Sequence, residues 1–182
     1  MSNVLTDEAR YKAGKSQMGT FLSNQYLMWR IVLVKSIRKI ILTADEFYTD
    51  ILPEEITQDE DVVNNEIRNG WLYEAMAQSE QAIEDLFSLL KNSTDIAYFA
   101  KNVVNYRATE VKNYIWNFKY DDIEYFMEQF KLPFFDLDDA EAWGEHQDVF
   151  EEYKKSVLLM QDYLKRLIQY HKHYYLDYCQ YK

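Results

Sequence analysis

A regular pattern of apolar positions runs through the C-terminal part of the chain. From Trp143 to Tyr181 the positions recur at alternating steps of three and four residues. They are Trp143, His146, Phe150, Tyr153, Val157, Met160, Leu164, Leu167, His171, Tyr174, Tyr178 and Tyr181. This spacing places every member on one face of a helix, and Ile168 and Tyr175 widen that face towards a bundle core. The pattern therefore predicts a long C-terminal helix.

A second apolar stretch, Leu22 to Leu52, has the length to pack beside the first. Residues 136–145 are expected to form an acidic loop that leads into the final helix. At about 1.5 Å per residue, a helix over residues 146–181 would be about 54 Å long and one over residues 22–52 about 46 Å, whereas a compact domain of this size has a radius of gyration of roughly 16 Å. We therefore predict an all-α fold, an elongated bundle of about five to seven helices. Residues 1–182 are expected to form a single domain, with residues 1–20 as a short helix or a loosely ordered arm.

Several shorter patterns divide the middle of the chain. Acidic residues 59–61 can cap a third helix that runs to about Asn92, and the predicted buried stripe of that helix is Leu72, Met76, Ser79, Ile83, Leu86 and Leu90. One or two helices follow over residues 96–118, and Asp121 and Asp122 can cap another that ends before Pro133. The adjacent Phe134 and Phe135 are expected to cover the core. Arg30 falls on the apolar arc of its helix and is expected to pair with an acid of the third helix.

Composition supports the helical interpretation. Four Gly and two Pro in 182 residues provide few of the turns that sheet-rich folds need. The single Cys179 cannot form an internal disulfide, and no N-terminal signal or long uncharged apolar run is visible. We therefore expect a cytoplasmic protein that is not embedded in a membrane.

Charge is distributed unevenly and indicates the kind of partner. Residues 51–150 carry seven basic and twenty-two acidic side chains, a balance of −15, whereas the flanking segments are each +2. Such a field repels phosphate backbones, so direct nucleic-acid binding is disfavoured unless the few basic residues cluster in space. An acidic surface of this kind serves either to keep a protein soluble, or to dock on a basic partner or imitate a nucleic acid. The predicted partner-binding residues are Asp136, Asp138, Asp139, Glu141 and Glu145, together with Tyr174, Tyr178 and Tyr181 at the C-terminal end.

Metal and nucleotide chemistry find little support in the sequence. None of the three histidines has an acidic residue three or four positions before it, so the spacing of di-iron bundles is missing. The pair Glu145 and Asp148 has a spacing suited to Mg²⁺ in helical nucleotide pyrophosphatases, with Glu80 and Glu84 as the candidate second pair. Residues 9–16 fit a relaxed phosphate-loop pattern, but no buried strand precedes them. We expect no metal and no cofactor.

One short motif resembles a known family. Arg166 is followed by His171 and His173, which resembles the Arg, four to six residues, His motif of the HEPN superfamily of all-α proteins. The resemblance implies a ribonuclease of a defence or toxin system, in which the His acts in acid–base chemistry and the Arg on the phosphate at a dimer interface. On a helical wheel Arg166 lies about 20° from His173 but about 140° from His171, so only Arg166 and His173 could share a site.

These patterns favour binding over catalysis. The favoured function is a non-catalytic interaction or regulatory protein, a homodimer whose acidic face docks on a basic, nucleic-acid-binding protein. A phage or mobile-element inhibitor would have these properties. The HEPN-like ribonuclease and the Mg²⁺-dependent pyrophosphatase are the alternatives, with Arg166 and His173 as the catalytic residues of the former.

Overall fold

The fold is all-α. A computed structural model describes residues 6–24, 27–43, 52–53, 62–93, 95–104, 107–133 and 136–181, and every regular element within these ranges is helical. The seven α-helices found there are α1 (Asp7–Asn24), α2 (Leu27–Leu42), α3 (Asn69–Asn92), α4 (Phe99–Val104), α5 (Ala108–Trp116), α6 (Ile123–Gln129) and α7 (Phe150–Tyr181). A π-helical segment (Val62–Arg68) precedes α3, and 3₁₀ segments (Ile96–Tyr98 and Glu141–Val149) precede α4 and α7. The predicted helical bundle with a long C-terminal helix is confirmed.

The chain divides into two compact units. Unit 1 comprises residues 1–23 and 86–172, and unit 2 comprises residues 24–85 and 173–182. The predicted caps at residues 59–61 and the predicted plug at Phe134 and Phe135 lie outside the described residues.

The core of unit 1 is built around aromatic rings. Phe87 of α3 is fully buried and meets Tyr114 and Phe118 edge to face, with ring centroids 6.1 and 5.5 Å apart. Phe118 also packs edge to face against Tyr125, at 5.1 Å. Such pairs contribute about 0.5–1.5 kcal/mol each beyond their buried area. They fix the turn between α5 and α6 against α3.

Helix α7 buries the face that the sequence pattern predicts, with three departures. Its buried residues include Phe150, Val157, Leu164, Ile168, His171 and Tyr178. Leu167 and Tyr174 remain more than a third exposed. The widening position Ile168, rather than Leu167, lies at the centre of the buried face. His146, predicted on the stripe, is exposed.

The exposure of His146 follows from a break in the backbone. Gly144 adopts φ +54° and ψ −117°, a conformation that a helix cannot contain and that glycine tolerates. The regular α-helix begins at Phe150, four residues after the predicted start at residue 146, and the three–four register does not apply to the 3₁₀ segment before it. Trp143 is nevertheless buried, because its ring packs against Phe150 at 5.3 Å.

The buried face of α3 differs from the predicted stripe. Leu72 is half exposed, whereas Glu80 and Glu84 are fully buried beside Ile83 and Phe87. The predicted stripe is correct at Ile83 and Leu90, which are buried, but it missed the buried Glu80 and Glu84 because acidic residues were not expected in the core. Within unit 2 the hydroxyl of Tyr178 donates a 3.4 Å hydrogen bond to the Glu84 carboxylate, which partly offsets the cost of burying it.

Arg30 forms the ion pair that the sequence predicts. Its Nε donates to Asp85 Oδ2 at 3.0 Å and its Nη1 to Gln78 Oε1 at 2.7 Å, and both partners belong to α3. Gln78 in turn donates from Nε2 to Glu74 at 2.8 Å. The predicted pairing of Arg30 with an acid of the third helix is confirmed, and the pair is half-buried.

Helix α1 replaces the arm that was one expectation for the first twenty residues. It packs on residues 96 and 97 at Gly14, where an added Cβ would lie 2.0 Å from the Ile96 carbonyl oxygen. The phosphate-loop-like residues 9–16 therefore form a helix interior and not a loop.

Candidate functional site: an exposed acidic segment

The acidic segment, defined as residues 136–152, is the most highly charged surface of the described chain. It contains eight carboxylates and no Lys or Arg, and all eight are exposed. They are Asp136, Asp138, Asp139, Glu141, Glu145, Asp148, Glu151 and Glu152. The side chains of Asp138 and Glu145 are 97% and 90% exposed. The five acidic residues predicted to bind a partner all belong to this surface.

Side-chain hydrogen bonds give the start of the segment a defined shape. Asp136 Oδ1 accepts from the backbone N–H groups of Asp138 and Asp139, at 2.8 and 3.3 Å. Asp139 Oδ1 then accepts from the Glu141 N–H at 2.9 Å. Such Asx turns recur where Asp stabilises a turn through its own carboxylate. They order the backbone that carries the neighbouring carboxylates.

Trp143 anchors the same segment to the protein. Its indole Nε1 donates to the Asp136 carbonyl oxygen at 2.7 Å, and its ring packs edge to face on Phe150 and Tyr153, at 5.3 and 5.0 Å. The Tyr153 hydroxyl donates to the Pro133 carbonyl oxygen, and burial raises the pKa of that hydroxyl. The sequence pattern identified Trp143 as a stripe residue. Its second role, closing the acidic loop, depends on a contact that periodicity does not show.

Among the described residues, few basic side chains lie close to these carboxylates. Lys154 approaches Asp138 at 3.5 Å, and His146 lies 4.0 Å from Glu145. Pairs this exposed contribute about 0–1 kcal/mol and are weakened by salt. The segment therefore presents most of its charge to solvent, as a docking surface for a basic partner requires.

The tyrosines predicted to bind a partner occupy different environments. Tyr178 is buried in unit 2, where its hydroxyl meets Glu84, so its ring does not form part of the exposed surface. Tyr174 is about one third exposed, and the edge of its ring meets His173 at 4.5 Å. Burial is the main cause that raises the pKa of the neighbouring Tyr175 to about 12, with a hydrogen bond to Cys179 second. The position of the Tyr181 side chain lies outside the description.

The HEPN-like pair lies on the exposed face of α7, as the helical wheel predicts. The Arg166 side chain is 69% exposed and pairs with Asp162 at 2.8 Å, one turn before it. His173 is also exposed, whereas His171 is fully buried. The guanidinium that would contact a phosphate is thus already bound to a carboxylate. The catalytic role of Arg166 and His173 stays a prediction.

The candidate Mg²⁺ ligands divide between two environments. Glu80 and Glu84 are buried, whereas Glu145 and Asp148 are exposed in the acidic segment. Across the described residues, no group of three or more His, Cys, Asp or Glu side chains is placed to hold a metal ion. The helices of the same described ranges include none with the length and apolar character to cross a membrane.

Comparison with known proteins does not assign the chain to a family. The chain matches no protein-family model and shows no significant similarity to any curated protein or solved structure.

Proposed function

We propose that the protein is a non-catalytic regulator that binds a basic protein through its acidic segment. The observation that carries the proposal is that residues 136–152 combine charge with order. They contain eight exposed carboxylates and no Lys or Arg, and Asx turns and Trp143 fix the backbone that carries them. A surface that is already ordered loses less conformational entropy on binding than a mobile acidic tail does.

The charge pattern also suggests what the partner does. A dense row of carboxylates attracts Lys- and Arg-rich surfaces and accelerates their association at low salt. Proteins that bind nucleic acids carry such surfaces because they neutralise phosphates. The favoured partner is therefore a nucleic-acid-binding protein whose basic face is covered by the acidic segment.

The direct test is charge neutralisation followed by affinity capture from the native host. The test variant replaces Asp138 and Asp148 by Asn and Glu141 and Glu145 by Gln. Asp136 and Asp139 are left unchanged, because their carboxylates form the turns. Exposed ion pairs contribute about 0.2–1 kcal/mol each, so losing four should weaken binding by about 1–4 kcal/mol, or at least about fivefold.

A matched control removes the same charge elsewhere. Replacing the exposed Asp95 and Asp177 by Asn and Glu124 and Glu128 by Gln changes the net charge equally but leaves the acidic segment intact. We expect the control to recover the same basic protein as the unaltered chain and the test variant to lose it. Equal recovery by both variants, or loss in both, would contradict the proposal.

We also propose that the protein forms a homodimer through the exposed face of α7. In unit 1, Leu159, Tyr163 and Leu167 follow one another at four-residue steps, and each is more than a third exposed, Tyr163 at 56%. A ridge with this spacing is the surface that helices present to each other in pairs. In unit 2, Tyr174 and Leu176 are exposed as well.

Sedimentation equilibrium at micromolar concentration tests the dimer. Leu159→Glu places a charge on the ridge and should give a monomer, whereas Gln169→Glu, at an exposed position about 120° around the helix from the ridge, should not. Truncation after Gln169 is a poor test, because it also removes the buried His171 and Tyr178. A monomeric unaltered protein would refute the dimer.

A further inference from the structure

Four lysines and two aromatic rings gather at one place in unit 1. We name them the lysine–aromatic cluster: Lys112, Lys119, Lys165, Lys172, Trp116 and Tyr120. Lys112 Nζ lies 4.4 Å from the centre of the Trp116 ring, and Lys165 and Lys172 lie 5.3 and 5.9 Å from that of Tyr120. The chain carries a net charge of −11 and only 20 basic residues, so this concentration of lysines departs from its general composition.

The cluster borders an open depression with a volume of about 490 Å³. Trp116, Tyr120, Lys119 and Lys172 line it, together with Asp121 and Asp122. Trp116 is 40% exposed although it is among the largest apolar side chains of unit 1. Pockets that bind small molecules combine ring surfaces with a few placed polar groups. The depression has both.

The turn that forms the floor of the depression is held in place from several sides. The buried Phe118 fixes it to the core. Gln161 of α7 donates to the Tyr120 carbonyl oxygen at 2.7 Å, and Lys165 binds Asp121 at 2.9 Å. Asp122 accepts from the Tyr125 N–H at 3.0 Å and caps α6. The site is therefore preorganised, which lowers the entropic cost of binding.

The two aspartates do not cancel the positive charge of the cluster. Lys165 pairs with Asp121, and this hydrogen bond raises the pKa of the Lys165 ammonium. Asp122 accepts the hydrogen bond that caps α6 and keeps its negative charge. Against these two carboxylates the cluster carries four lysines, of which Lys119 and Lys172 line the depression and are exposed. The excess of lysines over aspartates attracts an anionic ligand and repels a metal cation.

We propose that the lysine–aromatic cluster binds a nucleoside phosphate, with the base stacked on Trp116 and the phosphate held by Lys119 and Lys172. Exposed aromatic rings bind nucleotide bases by stacking, and ammonium groups bind phosphate as point charges. A free mononucleotide and a nucleotide unit of a single strand share this chemistry. The site is separate from the acidic segment, so either proposal can fail without the other.

Nuclear magnetic resonance of the full chain tests the proposal. The chain has four tryptophans, and comparison with Trp116→Phe assigns the Trp116 indole signal. The protein is titrated with AMP, with inorganic phosphate and with a hexa-adenylate RNA. We expect AMP to shift the Trp116 signal with a Kd below about 1 mM, and inorganic phosphate to bind about tenfold more weakly because it lacks a ring to stack. A tighter Kd for the RNA than for AMP identifies a single strand as the ligand source, and an equal or weaker one identifies the free nucleotide.

Matched lysine variants separate this site from general charge attraction. Lys172→Ala should weaken AMP binding about tenfold and Lys172→Arg should largely restore it, whereas Lys155→Ala, at an exposed position of α7 outside the cluster, should have no effect. A thermal melt of each variant confirms that it is folded. The proposal is overturned if AMP fails to bind below about 1 mM, if phosphate binds as tightly as AMP, or if Lys155→Ala has the same effect as Lys172→Ala. Preference for a phosphotyrosine peptide over AMP would also overturn it.

Discussion

Replacing Gly14 by Ala should destabilise the protein through a clash between two backbone segments. An added Cβ would lie 2.0 Å from the Ile96 carbonyl oxygen and 2.8 Å from the Ala97 Cα. A carbon–oxygen contact normally requires about 3.3 Å, so one segment must move by about 1.3 Å. The obstacle is backbone and not the flexible end of a side chain. Overpacking of this kind costs about 1–3 kcal/mol.

The same helix provides the control. Gly19 also lies in α1, is exposed and has no atom within 4 Å of an added Cβ. Gly19→Ala should therefore stabilise the protein by about 0.5–1 kcal/mol, because Gly loses more backbone entropy than Ala when a helix forms. The two substitutions have the same chemistry but opposite expected signs. Their free energies of unfolding should differ by about 1.5–4 kcal/mol.

Thermal unfolding measures that difference directly. For a chain of this size 1 kcal/mol shifts Tm by about 2–4 °C, so the two variants should melt about 3–16 °C apart, with Gly14→Ala the lower. Urea unfolding at one temperature gives the same comparison as a change in midpoint. If Gly14→Ala melts as high as Gly19→Ala, α1 does not pack on residues 96 and 97 as described, and the account of unit 1 is wrong there.

Three further predictions follow from named contacts. Arg30→Met should be tolerated better than Asp85→Ala, because Asp85→Ala leaves the half-buried guanidinium with one partner fewer. Asp85→Ala should lower the free energy of unfolding, measured by chemical denaturation, by about 1–3 kcal/mol. Equal, negligible effects of the two substitutions would show that the pair contributes nothing to stability. Lys131→Gly should raise Tm by a few degrees. Lys131 has φ +54° at the C-terminal end of α6, and this conformation costs a non-glycine residue about 1–2 kcal/mol. An unchanged or lower Tm would contradict this prediction. Arg166→Ala and His173→Ala should each change the free energy of unfolding by less than about 0.5 kcal/mol and leave partner binding intact. If the purified protein cleaves RNA and either substitution abolishes this cleavage, the HEPN-like alternative is favoured.

The long helix was predictable because its information is local. A face that recurs every three or four residues marks α7 whatever it packs against, and the buried Val157, Leu164 and Tyr178 confirm it. The predicted start at residue 146 was four residues early, because residues 141–149 form a 3₁₀ segment, and the apolar spacing does not distinguish its last turn from an α-helix. Ile168 and Leu167 are adjacent and both apolar. Only the packing against other helices decides which of them is buried.

Some features could not be predicted from the sequence, because each of them depends on segments that are far apart in the chain. The sequence suggested Glu80 and Glu84 only as a candidate Mg²⁺ pair and did not indicate that they are buried, because a charge pattern carries no information on burial. The close approach at Gly14 joins positions more than eighty residues apart. The lysine–aromatic cluster likewise combines residues near 116 with Lys165 and Lys172. The acidic segment was predictable as a charge run, but its fixed shape depends on Trp143.

Site-specific photo-crosslinking in the native host tests the central claim most directly. A photoreactive amino acid replaces Gln147, an exposed residue within the acidic segment, and in a second variant it replaces Glu124, an exposed residue of α6 outside it. The account predicts an adduct with a basic protein from position 147 only, and predicts that this adduct disappears when Asp138, Glu141, Glu145 and Asp148 are neutralised. No adduct at position 147, or the same adduct from both positions, would contradict the claim that the acidic segment is the docking surface.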